Sequence, residues 1–386
     1  MNENGLDKNK VLDLLGKKLD EDASFKSGRI LGSMCSEPHE ISKKIFSLTF
    51  QRNLGDQFVF PSISKIEHDA ISTIGNMLSN DGAVGHIVSG GTEANITGLW
   101  VARKLKGGCK KEVILSESAH FSFERASDIL GLKLVKIPLT RDFTIDVSKV
   151  RESINKNTLA IVGVAGSTGF GTVDPIQVLS DISLKNDLYL HVDAAFGGFI
   201  LPFLKELGLY NSQFDFAVPG VNSITIDPHK MGLAPIPAGC ILFRESSLLS
   251  KISLTASYIG RGGQNFTTMS CTRPSTSTVA VWAIMKTMGK SGYRSMVKRC
   301  MDNTLMLAND IRCLQGVKLM LEPTMNIVSF TCSQLSNKIL FEKLERKGWV
   351  LSIFPTHLRV VIMPHVKKKH LKAFVSDLSE VFENSL

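Results

Sequence analysis

A histidine and a lysine, His229 and Lys230, lie side by side after a β-branched run in the stretch TIDPHKMG. An ordinary lysine amine has a pKa of about 10.4 and is a poor nucleophile at neutral pH. In a partly desolvated site the amine can lose its proton and form an imine with a carbonyl group. A lone pair of this kind is more typical of a solvated turn, so the functional interpretation of Lys230 depends on the rest of the sequence.

A carboxylate, Asp193, ends the hydrophobic run LYLHV and precedes Ala194 and Ala195. Burial of a carboxylate at the end of a strand is costly unless a cation or a hydrogen-bond donor pairs with it. The small alanine side chains would let a flat ring approach the backbone. The sequence therefore allows two interpretations: Asp193 caps the following loop, or it holds a protonated heterocyclic nitrogen.

Two glycines and a threonine, Gly90, Gly91 and Thr92, follow an apolar run in HIVSGGTEANITGLW. Glycines allow a sharp turn, and the free N–H groups at the start of a helix bind anions such as phosphate. The alternative is an ordinary strand-to-helix turn capped by Thr92, with Glu93 in the first turn. The stretch matches neither GxGxxG nor a GK[ST] loop, which argues against a dinucleotide or nucleoside-triphosphate site here.

His120 lies in ESAHFSFERA, where a strand-like run passes into a helical pattern. Its flat imidazole could stack on an aromatic ring opposite Ala195, although a lone histidine in this context is more often a helix cap. A phosphate cradle, a carboxylate for a ring nitrogen and an imine-forming lysine together meet the needs of pyridoxal 5′-phosphate. Each signal is weak alone, but the set predicts that cofactor.

These residues must be positioned by short strands that alternate with helices between about residues 80 and 245. Helical segments such as FSFERASDILG and PIQVLSDISLKN separate the β-branched runs, which indicates a mainly parallel sheet covered on both faces. In such a sheet, ligands bind at the carboxyl ends of the strands. The predicted strands span residues 112–116, 132–137, 159–166, 188–195, 223–227 and 240–243.

The pattern changes after about residue 263. One or two long helices, interrupted near Gly289 to Gly292, precede strand-like segments at 326–332 and 358–364. The sequence therefore predicts a large α/β domain over residues 53–262 and a smaller C-terminal α+β domain over residues 263–386.

The 386-residue chain has the composition of a globular protein, with 43% hydrophobic and 21% charged residues. Its formal net charge is +9, and the densest basic stretch contains Lys367, Lys368, Lys369 and Lys372. No aromatic residues are interleaved among these lysines to stack on bases, so a nucleic-acid partner is not expected. The excess positive charge could instead help to attract an anionic substrate or cofactor.

Seven cysteines are scattered without a CxxC pair or a metal-ligand spacing, which fits a reducing cytoplasm and predicts no metal site. The first residues are charged and lack the apolar core of a signal peptide. No apolar run reaches the roughly 18 residues that a membrane helix requires, so no membrane association is expected.

The motifs GGTEAN, SAHFS, HVDAAFGG and DPHKMG resemble, in this order and spacing, those of the fold-type I pyridoxal-phosphate enzymes, and among them the group II amino-acid decarboxylases. The flanking stretches GSMCSEPHEI, RNLGDQFVFPSISKIE and LRVVIMPHV are similar to the archaeal L-tyrosine/L-aspartate decarboxylases. That branch makes tyramine for methanofuran and β-alanine for coenzyme A. The resemblance covers nearly the whole chain and implies the fold-type I architecture and decarboxylation of L-tyrosine, L-aspartate or both.

The resemblance also implies roles around the cofactor. Lys230 would form the imine, Asp193 would pair with the pyridine nitrogen, and His120 would stack on the ring. The other implied cofactor contacts are Gly91, Thr92 and His229 at the phosphate, Ala195 on the second face of the ring and Ser167 near the phenolic oxygen.

Two further residues are implied in substrate handling. Arg359 falls where related enzymes often hold a substrate carboxylate; its alternative role is a salt bridge at the rim of the site. Tyr258 lies in LTASYIGRGGQNF, a candidate mobile loop, and a loop tyrosine donates the final proton in related decarboxylases. The strand-like context of Tyr258 favours plain packing instead.

The resemblance implies a homodimer with shared active sites, in which residues 1–52 pack on the partner subunit. Two stretches depart from the archaeal pattern. Gly169 stands where an acidic residue is common, and Cys271 and Ser275 replace glycines. These departures bear on substrate choice and on a phosphate contact from the partner subunit.

Other activities remain open at this point. They are a sphingosine-phosphate-lyase-like carbon–carbon cleavage, sulfur chemistry on a cysteine substrate, glutamate decarboxylation and a non-enzymatic scaffold. The scaffold interpretation predicts the loss of Asp193, His229 or Lys230, and all three are present.

Overall fold

The computed structural model describes residues 3–260 and 262–383. The strands of the larger sheet are β1 (Val84–Val88), β2 (Glu112–Ser116), β3 (Lys133–Ile137), β4 (Thr158–Val164), β5 (Tyr189–Asp193), β6 (Val221–Ile226) and β7 (Gly239–Phe243). Among the described residues their order is β1-β7-β6-β5-β4-β2-β3. The strands from β2 to β6 are parallel, whereas β7 is antiparallel to both of its neighbours. The predicted mainly parallel sheet is confirmed.

Sequence accounts for where the strands lie. The interior strand β4, TLAIVGV, is buried along its whole length, as its apolar and small residues require. The edge strand β3 exposes Lys133 and Lys136 instead. Charged side chains on an edge strand hinder association with the edges of other sheets.

Two apolar cores cover the faces of this sheet. Val113 and Leu115 belong to one core, and Ile114 between them belongs to the other. Ile161 and Val162 of β4 divide in the same way. Because side chains alternate between the faces of a strand, this division confirms that both faces are covered.

The α-helices of the described residues belong to both parts of the molecule. They are α1 (Lys8–Leu19), α2 (Ile41–Thr49), α3 (Pro61–Met77), α4 (Gly91–Lys106), α5 (Ser122–Leu130), α6 (Val147–Ser153), α7 (Ile176–Lys185), α8 (Leu201–Glu206), α9 (Ser246–Leu249), α10 (Ser275–Arg312), α11 (Asn337–Arg346) and α12 (Lys368–Glu383). The predicted helical segments after His120 and from Pro175 are α5 and α7. The lysines predicted to form the wet face of a helix lie at the start of α12, where Lys367, Lys368 and Lys369 are exposed.

The long helix α10 passes through both parts of the molecule. It has 38 residues and is kinked at Gly289, whose φ of 56° is a left-handed conformation that glycine tolerates best. Ile284 packs in the core of the larger sheet, whereas Leu307 and Ile311 pack in the core of the smaller one. Helix α10 thus contributes to both cores, and the domain boundary at residue 263 stays a prediction.

The smaller sheet is antiparallel and belongs to the C-terminal part. Its strands are β10 (Val317–Leu319), β11 (Ile327–Cys332), β12 (Ser352–Ile353) and β13 (Leu358–Val361), in the order β10-β11-β13-β12, and a separate hairpin is formed by β8 (Leu254–Ala256) and β9 (Gln264–Phe266). The segments predicted at 326–332 and 358–364 are β11 and β13, so the smaller α+β unit is confirmed.

The N-terminal segment has two different surroundings. Leu31 is buried in the core of the smaller sheet, and its N–H donates to the Val350 carbonyl over 2.8 Å. The Val361 N–H donates in turn to the Leu31 carbonyl over 2.7 Å. None of the residues of α1 is buried in the chain. The stretch around Leu31 therefore packs within its own chain. The predicted contact of residues 1–52 with a partner subunit can involve only the other residues of this segment.

Over the described residues, no helix combines the length and the hydropathy that crossing a membrane would require.

Candidate active site

A cavity of about 330 Å³ lies beyond the carboxyl ends of β4, β5 and β6. The predicted residues that line it are Gly91, Thr92, His120, Asp193, Ala195, His229 and Lys230. Lining residues that the sequence interpretation did not single out include Asn95, Thr168 and Asp227. The fold therefore brings together most of the residues predicted from four separate stretches of sequence.

A larger groove of about 1000 Å³ lies elsewhere, between residues 172–178 and residues 320–324. It is lined by none of the predicted site residues. We assign the chemistry to the smaller cavity, because a lysine amine and two histidines converge there with two buried carboxylates at the carboxyl ends of the strands, whereas the groove is lined by neither lysine nor histidine.

The amine of Lys230 is paired with a carboxylate in the wall of the cavity. Its Nζ lies 3.1 Å from Oδ2 of Asp227, which is only 3% exposed. His229 approaches the same oxygen, with Nε2 at 3.7 Å. Burial lowers the pKa of His229, and the Asp227 carboxylate opposes that effect. The sequence carried one signal for Asp227, its place three residues before the lysine, but a lone aspartate after a strand is too common to single out.

The start of α4 forms another wall of the cavity. A Cβ added to Gly91 would lie 2.9 Å from Asp227 Oδ2, closer than real Cβ atoms come, so a larger residue would displace the Asp227 carboxylate. Glu93 Oε2 accepts a hydrogen bond from the Ser89 N–H over 2.8 Å and so caps the turn. The first N–H groups of a helix have no partner within it, and Gly91 and Thr92 supply two of them beside the cavity.

Asp193 is held by hydrogen bonds at both oxygens and is 5% exposed. The Asn95 amide donates to Oδ2 over 2.9 Å, and the Ala195 N–H donates to Oδ1 over 3.1 Å. The two interpretations of Asp193 therefore coexist: it supports the following loop and presents a buried carboxylate to the cavity. Asn95 was missed because a single asparagine inside a helical pattern carries no motif.

His120, like Asp193, both stabilises the local backbone and faces the cavity. Its Nδ1 accepts a hydrogen bond from the Ser122 N–H over 3.3 Å, at the start of α5, and the ring also lines the cavity. Burial lowers the pKa of His120, and the Asp193 carboxylate opposes the effect. A largely neutral, flat ring is suited to stacking on another aromatic ring.

Ser167 lies behind the cavity wall rather than in it. Its Oγ is 2.8 Å from the Thr172 Oγ1, and the residue is 2% exposed. The hydroxyl stabilises the turn between these two residues, so Thr168 lines the cavity in its place. The contact of Ser167 with the cofactor stays a prediction, although Ser167 does not line the cavity.

Arg359 is buried behind Thr168. Its guanidinium donates to the Thr168 carbonyl over 2.6 Å, to the Gly32 carbonyl over 2.5 Å and to the Ser352 hydroxyl over 2.8 Å. Burial lowers its pKa to about 10. A residue that is 5% exposed does not form a salt bridge at the rim, so that alternative is wrong. Arg359 supports the wall of the cavity through Thr168 and does not line it.

Tyr258 lies in the turn that connects β8 and β9 and is 85% exposed. Plain packing of its ring within the chain, which the strand-like context favoured, is therefore wrong. The two-stranded hairpin has no further strand beside it, among the described residues, to cover the ring. Tyr258 does not line the cavity of its own chain.

The arrangement fits pyridoxal 5′-phosphate. An open helix start beside His229 suits a phosphate, the buried Asp193 suits a protonated ring nitrogen, and Lys230 supplies a primary amine. The Asp227 Oδ1 has no hydrogen-bond partner in the described part of the chain, which leaves an unsatisfied polar atom in the wall. Over the same residues, no cluster of three or more His, Cys, Asp or Glu side chains could hold a metal ion.

Comparison with known proteins supports this fit. The L-aspartate decarboxylase of Thermococcus kodakarensis is 46% identical over 379 residues, which cover 98% of this chain and 98% of that protein. The probable L-tyrosine/L-aspartate decarboxylase of Methanothermobacter thermautotrophicus is 45% identical over 360 residues, which cover 93% of this chain and 98% of that protein.

Solved structures show the same fold. Sphingosine-1-phosphate lyase of Burkholderia pseudomallei superimposes with a TM-score of 0.93 at 24% identity, covering 100% of this chain and 92% of that one. Glutamate decarboxylase of Lactobacillus brevis gives a TM-score of 0.89 at 20% identity, covering 100% of this chain and 94% of that one. These likenesses establish the predicted fold-type I architecture and not the substrate.

A family match completes the assignment. Residues 53–333 match the pyridoxal-dependent decarboxylase conserved domain, which includes β1 to β11 and every residue that lines the cavity except Met34. The predicted cofactor and the predicted carboxy-lyase class agree with this match. The chain belongs to the family of pyridoxal-dependent decarboxylases.

Proposed function

We propose that this protein decarboxylates an acidic L-amino acid and that L-aspartate, which yields β-alanine, is its preferred substrate. The observation that carries the proposal is the convergence of Lys230, Asp193 and His120 on one cavity, in a chain 46% identical to a protein named L-aspartate decarboxylase. L-Tyrosine, which yields tyramine, is the second candidate, because a relative at 45% identity is named for both amino acids.

The residues of the chain have separate tasks in this reaction. Pyridoxal 5′-phosphate, when bound, supplies an electron sink for the electron pair that remains when the carboxylate leaves as carbon dioxide. The buried carboxylate of Asp193 would keep a proton on the ring nitrogen. Gly91, Thr92 and His229 would hold the phosphate, and Lys230 would supply the amine that anchors the cofactor and helps to release the product.

Arg359 would favour an anionic substrate in two ways. Its charge lies behind Thr168 at low exposure, where a positive charge is poorly screened. Its hydrogen bonds also fix the Thr168 carbonyl and thus the wall of the cavity. Replacement of Arg359 by methionine should raise KM for L-aspartate more than it lowers kcat, and an unchanged KM would remove Arg359 from substrate binding.

The substrate test is a panel of L-aspartate, L-tyrosine and L-glutamate, scored by release of carbon dioxide and by the amine formed. L-Aspartate should give the highest kcat/KM. Absence of carbon dioxide from every amino acid, with the cofactor bound, would overturn the proposal. Release of an aldehyde from a phosphorylated sphingoid base would instead assign the protein to the carbon–carbon lyases.

We also propose a homodimer in which the apolar side of α1 packs on a partner subunit. α1 has no buried residue in the chain, and Val11, Leu12, Leu15 and Leu19 are exposed. Apolar side chains gathered on one helix are costly in water unless a partner covers them. Light scattering should give twice the mass of the chain, and replacement of Leu12 and Leu15 by glutamate should lower it to that of the monomer.

A dimer would also account for Tyr258. Its ring is 85% exposed and lies outside the cavity of its own chain, so its proposed role as a proton donor requires the cavity of a partner. A mixture of Lys230→Ala and Tyr258→Phe chains should then recover activity, since one hybrid site has both residues. No recovery, with mixed dimers present, would exclude this role.

A reducing compartment such as the cytoplasm suits the cysteines. All seven are free, and Cys109, Cys271 and Cys313 are exposed. Titration of the purified protein under denaturing conditions should find seven thiols without added reductant, whereas fewer would point to an oxidising compartment.

A further inference from the structure

A continuous row of buried polar side chains ends on Asp193. The Tyr189 hydroxyl lies 2.8 Å from the Ser223 Oγ, which lies 2.7 Å from Nδ1 of His191. The other ring nitrogen of His191 lies 3.0 Å from the Asn95 Oδ1, and the Asn95 amide nitrogen lies 2.9 Å from the Asp193 Oδ2. Apart from Asn95 at 1% and Asp193 at 5%, the members of this row have no solvent exposure.

The direction of these hydrogen bonds is set by their last member. An ionised carboxylate only accepts, so the Asn95 side chain must present its NH₂ group to Asp193 and its carbonyl oxygen to His191. The His191 Nε2 must then carry the proton, and Nδ1 must accept from the Ser223 hydroxyl. Ser223 accepts in turn from Tyr189. Every donor in the row therefore points towards Asp193.

The surroundings of His191 keep it neutral, as this direction requires. The ring is completely buried, and burial lowers its pKa to about 4, although the Asp193 carboxylate opposes the shift. The other polar atom near Nε2 is the Thr225 Oγ1 at 3.3 Å, which carries no charge. The Phe123 ring packs against the imidazole with its centroid at 6.1 Å.

Helix α4 is adapted to this imidazole. Gly98 lies inside the helix, where glycine costs stability relative to alanine. A Cβ at this position would lie 2.8 Å from both Cε1 and Nδ1 of His191, so any other residue would displace the ring. The helix therefore has a glycine where the row passes and an asparagine where it meets the carboxylate.

We infer that Asn95 and His191 are positioning residues, which hold the Asp193 carboxylate through a one-way row of hydrogen bonds in the orientation that a protonated ring nitrogen would need. The inference rests on the proposed function for the identity of the cofactor, but the direction of the row is a property of the chain itself. Donors that point to a carboxylate favour its charged form. Neighbouring hydrogen bonds in one direction also strengthen each other at low dielectric.

The first test needs no cofactor. The protein is labelled with nitrogen-15 in its histidines, and the signals of His191 are identified by their loss in His191→Phe. We expect one tautomer, protonated at Nε2 and unprotonated at Nδ1, that does not titrate between about pH 5 and pH 8. A proton on Nδ1, or titration in this range, would overturn the inference whatever the enzyme catalyses.

The second test compares Asn95→Leu, His191→Phe and Tyr189→Phe with the control Thr304→Val. The control loses a buried hydrogen bond of 2.7 Å in α10 that is not part of this row. The dissociation constant of pyridoxal 5′-phosphate should rise by about tenfold or more in Asn95→Leu, less in His191→Phe and least in Tyr189→Phe. kcat should fall in the same order with KM nearly unchanged, because the row reaches the cofactor and not the substrate.

The outcomes separate this inference from the proposed function. If the unaltered protein binds the cofactor and decarboxylates but the three variants behave like Thr304→Val, the inference is wrong and the proposed function stands. If the unaltered protein fails to decarboxylate but its histidine signals and the cofactor affinities show the expected order, the proposed function is wrong and the row stands. Melting temperatures of all four variants check that each one is folded.

Discussion

The Lys230 amine and the Asp227 carboxylate form a close ion pair, with Nζ 3.1 Å from Oδ2, in the wall of the cavity where the cofactor fits. Lys230 must leave this carboxylate to attach the cofactor. Asp227 still has His229 beside it, with Nε2 at 3.7 Å from Oδ2. The pair therefore links the nucleophile to the residue proposed to hold the phosphate.

Replacement of Asp227 by asparagine should weaken binding of the phosphate group in particular. Burial lowers the pKa of His229 and the Asp227 carboxylate opposes it, so its loss lets this pKa fall further and leaves less imidazolium at neutral pH. A fall of one unit reduces the charged fraction by about tenfold. Affinity for pyridoxal 5′-phosphate should drop by up to this factor, while affinity for pyridoxal, which has no phosphate, stays nearly constant. An equal loss for both ligands would contradict a role through His229.

Lys230→Ala should abolish covalent attachment of the cofactor. Borohydride reduction of the unaltered holoenzyme, followed by peptide mass spectrometry, should find the adduct on Lys230 alone, since its amine lines the cavity. The matched control is Lys298→Ala, which removes an exposed lysine paired with Asp302 over 2.8 Å and should leave the adduct intact. An adduct on another lysine would show that Lys230 is not the residue that attaches the cofactor.

Asp193→Ala should reduce kcat by roughly a hundredfold to a thousandfold, the cost of removing one preorganised electrostatic group. The variant should still bind some cofactor, because Gly91, Thr92, His229 and Lys230 are unchanged. Asp193→Asn is the matched variant: it preserves size and the hydrogen bond from the Ala195 N–H, but not the charge. Near-normal turnover in either variant would show that the carboxylate does not support the ring nitrogen.

Stability should depend on pH through Glu67. Two hydrogen bonds from Arg273, of 2.6 and 3.1 Å, join its carboxylate to the segment that precedes α10, and His86 lies 3.5 Å away. Burial raises the pKa of Glu67, but the hydrogen bond with His86 and the Arg273 charge outweigh it and bring the pKa from 4.5 to about 2. A depressed carboxylate pKa stabilises the fold above the unfolded value, and this contribution is lost as the pH falls from about 4.5 towards 2.

Glu67→Gln should therefore lower the free energy of unfolding at pH 7 by about 3 kcal/mol, and the difference should shrink as the pH falls through this window. Urea denaturation at several pH values measures it. Asp302→Asn, which breaks an exposed ion pair, should change stability by less than about 1 kcal/mol at any pH. A constant difference between Glu67→Gln and the unaltered protein across pH would contradict the assigned pKa.

The sequence was sufficient to predict the cavity residues that lie at the ends of strands. Asp193 follows a β-branched run and Lys230 follows another, and the parallel sheet brings both to one edge because the carboxyl ends of its strands coincide. β2 was predicted with its observed bounds, because a short β-branched segment between polar residues has few other solutions. The glycine pair Gly90 and Gly91 likewise predicted the start of α4.

The residues that sequence reasoning missed act through contacts between elements. Asn95 and His191 lie inside a helix and a strand, where a polar residue gives no local signal, and the two are 96 positions apart. The sequence also did not reveal that α10 contributes to both cores, because its interruption at Gly289 does not coincide with the change from one core to the other, between Met301 and Leu307. Exposure of Tyr258 depends on what lies beside the hairpin in space, which its own stretch of sequence does not reveal.

Helix α4 carries three of the features described above on consecutive turns: Gly91 at the phosphate end, Asn95 at the carboxylate and Gly98 against the imidazole. Four residues of α-helix span about 6 Å, and each added residue rotates the remainder of the helix by about 100°. The helix thus fixes the spacing between Gly91, proposed to hold the phosphate, and Asn95, which holds the carboxylate proposed for the ring nitrogen. A substitution in α4 changes one contact at a time. One residue inserted between Gly91 and Asn95 would instead shift one of these positions relative to the other. The number of residues between them is therefore more tightly constrained than most of the side chains.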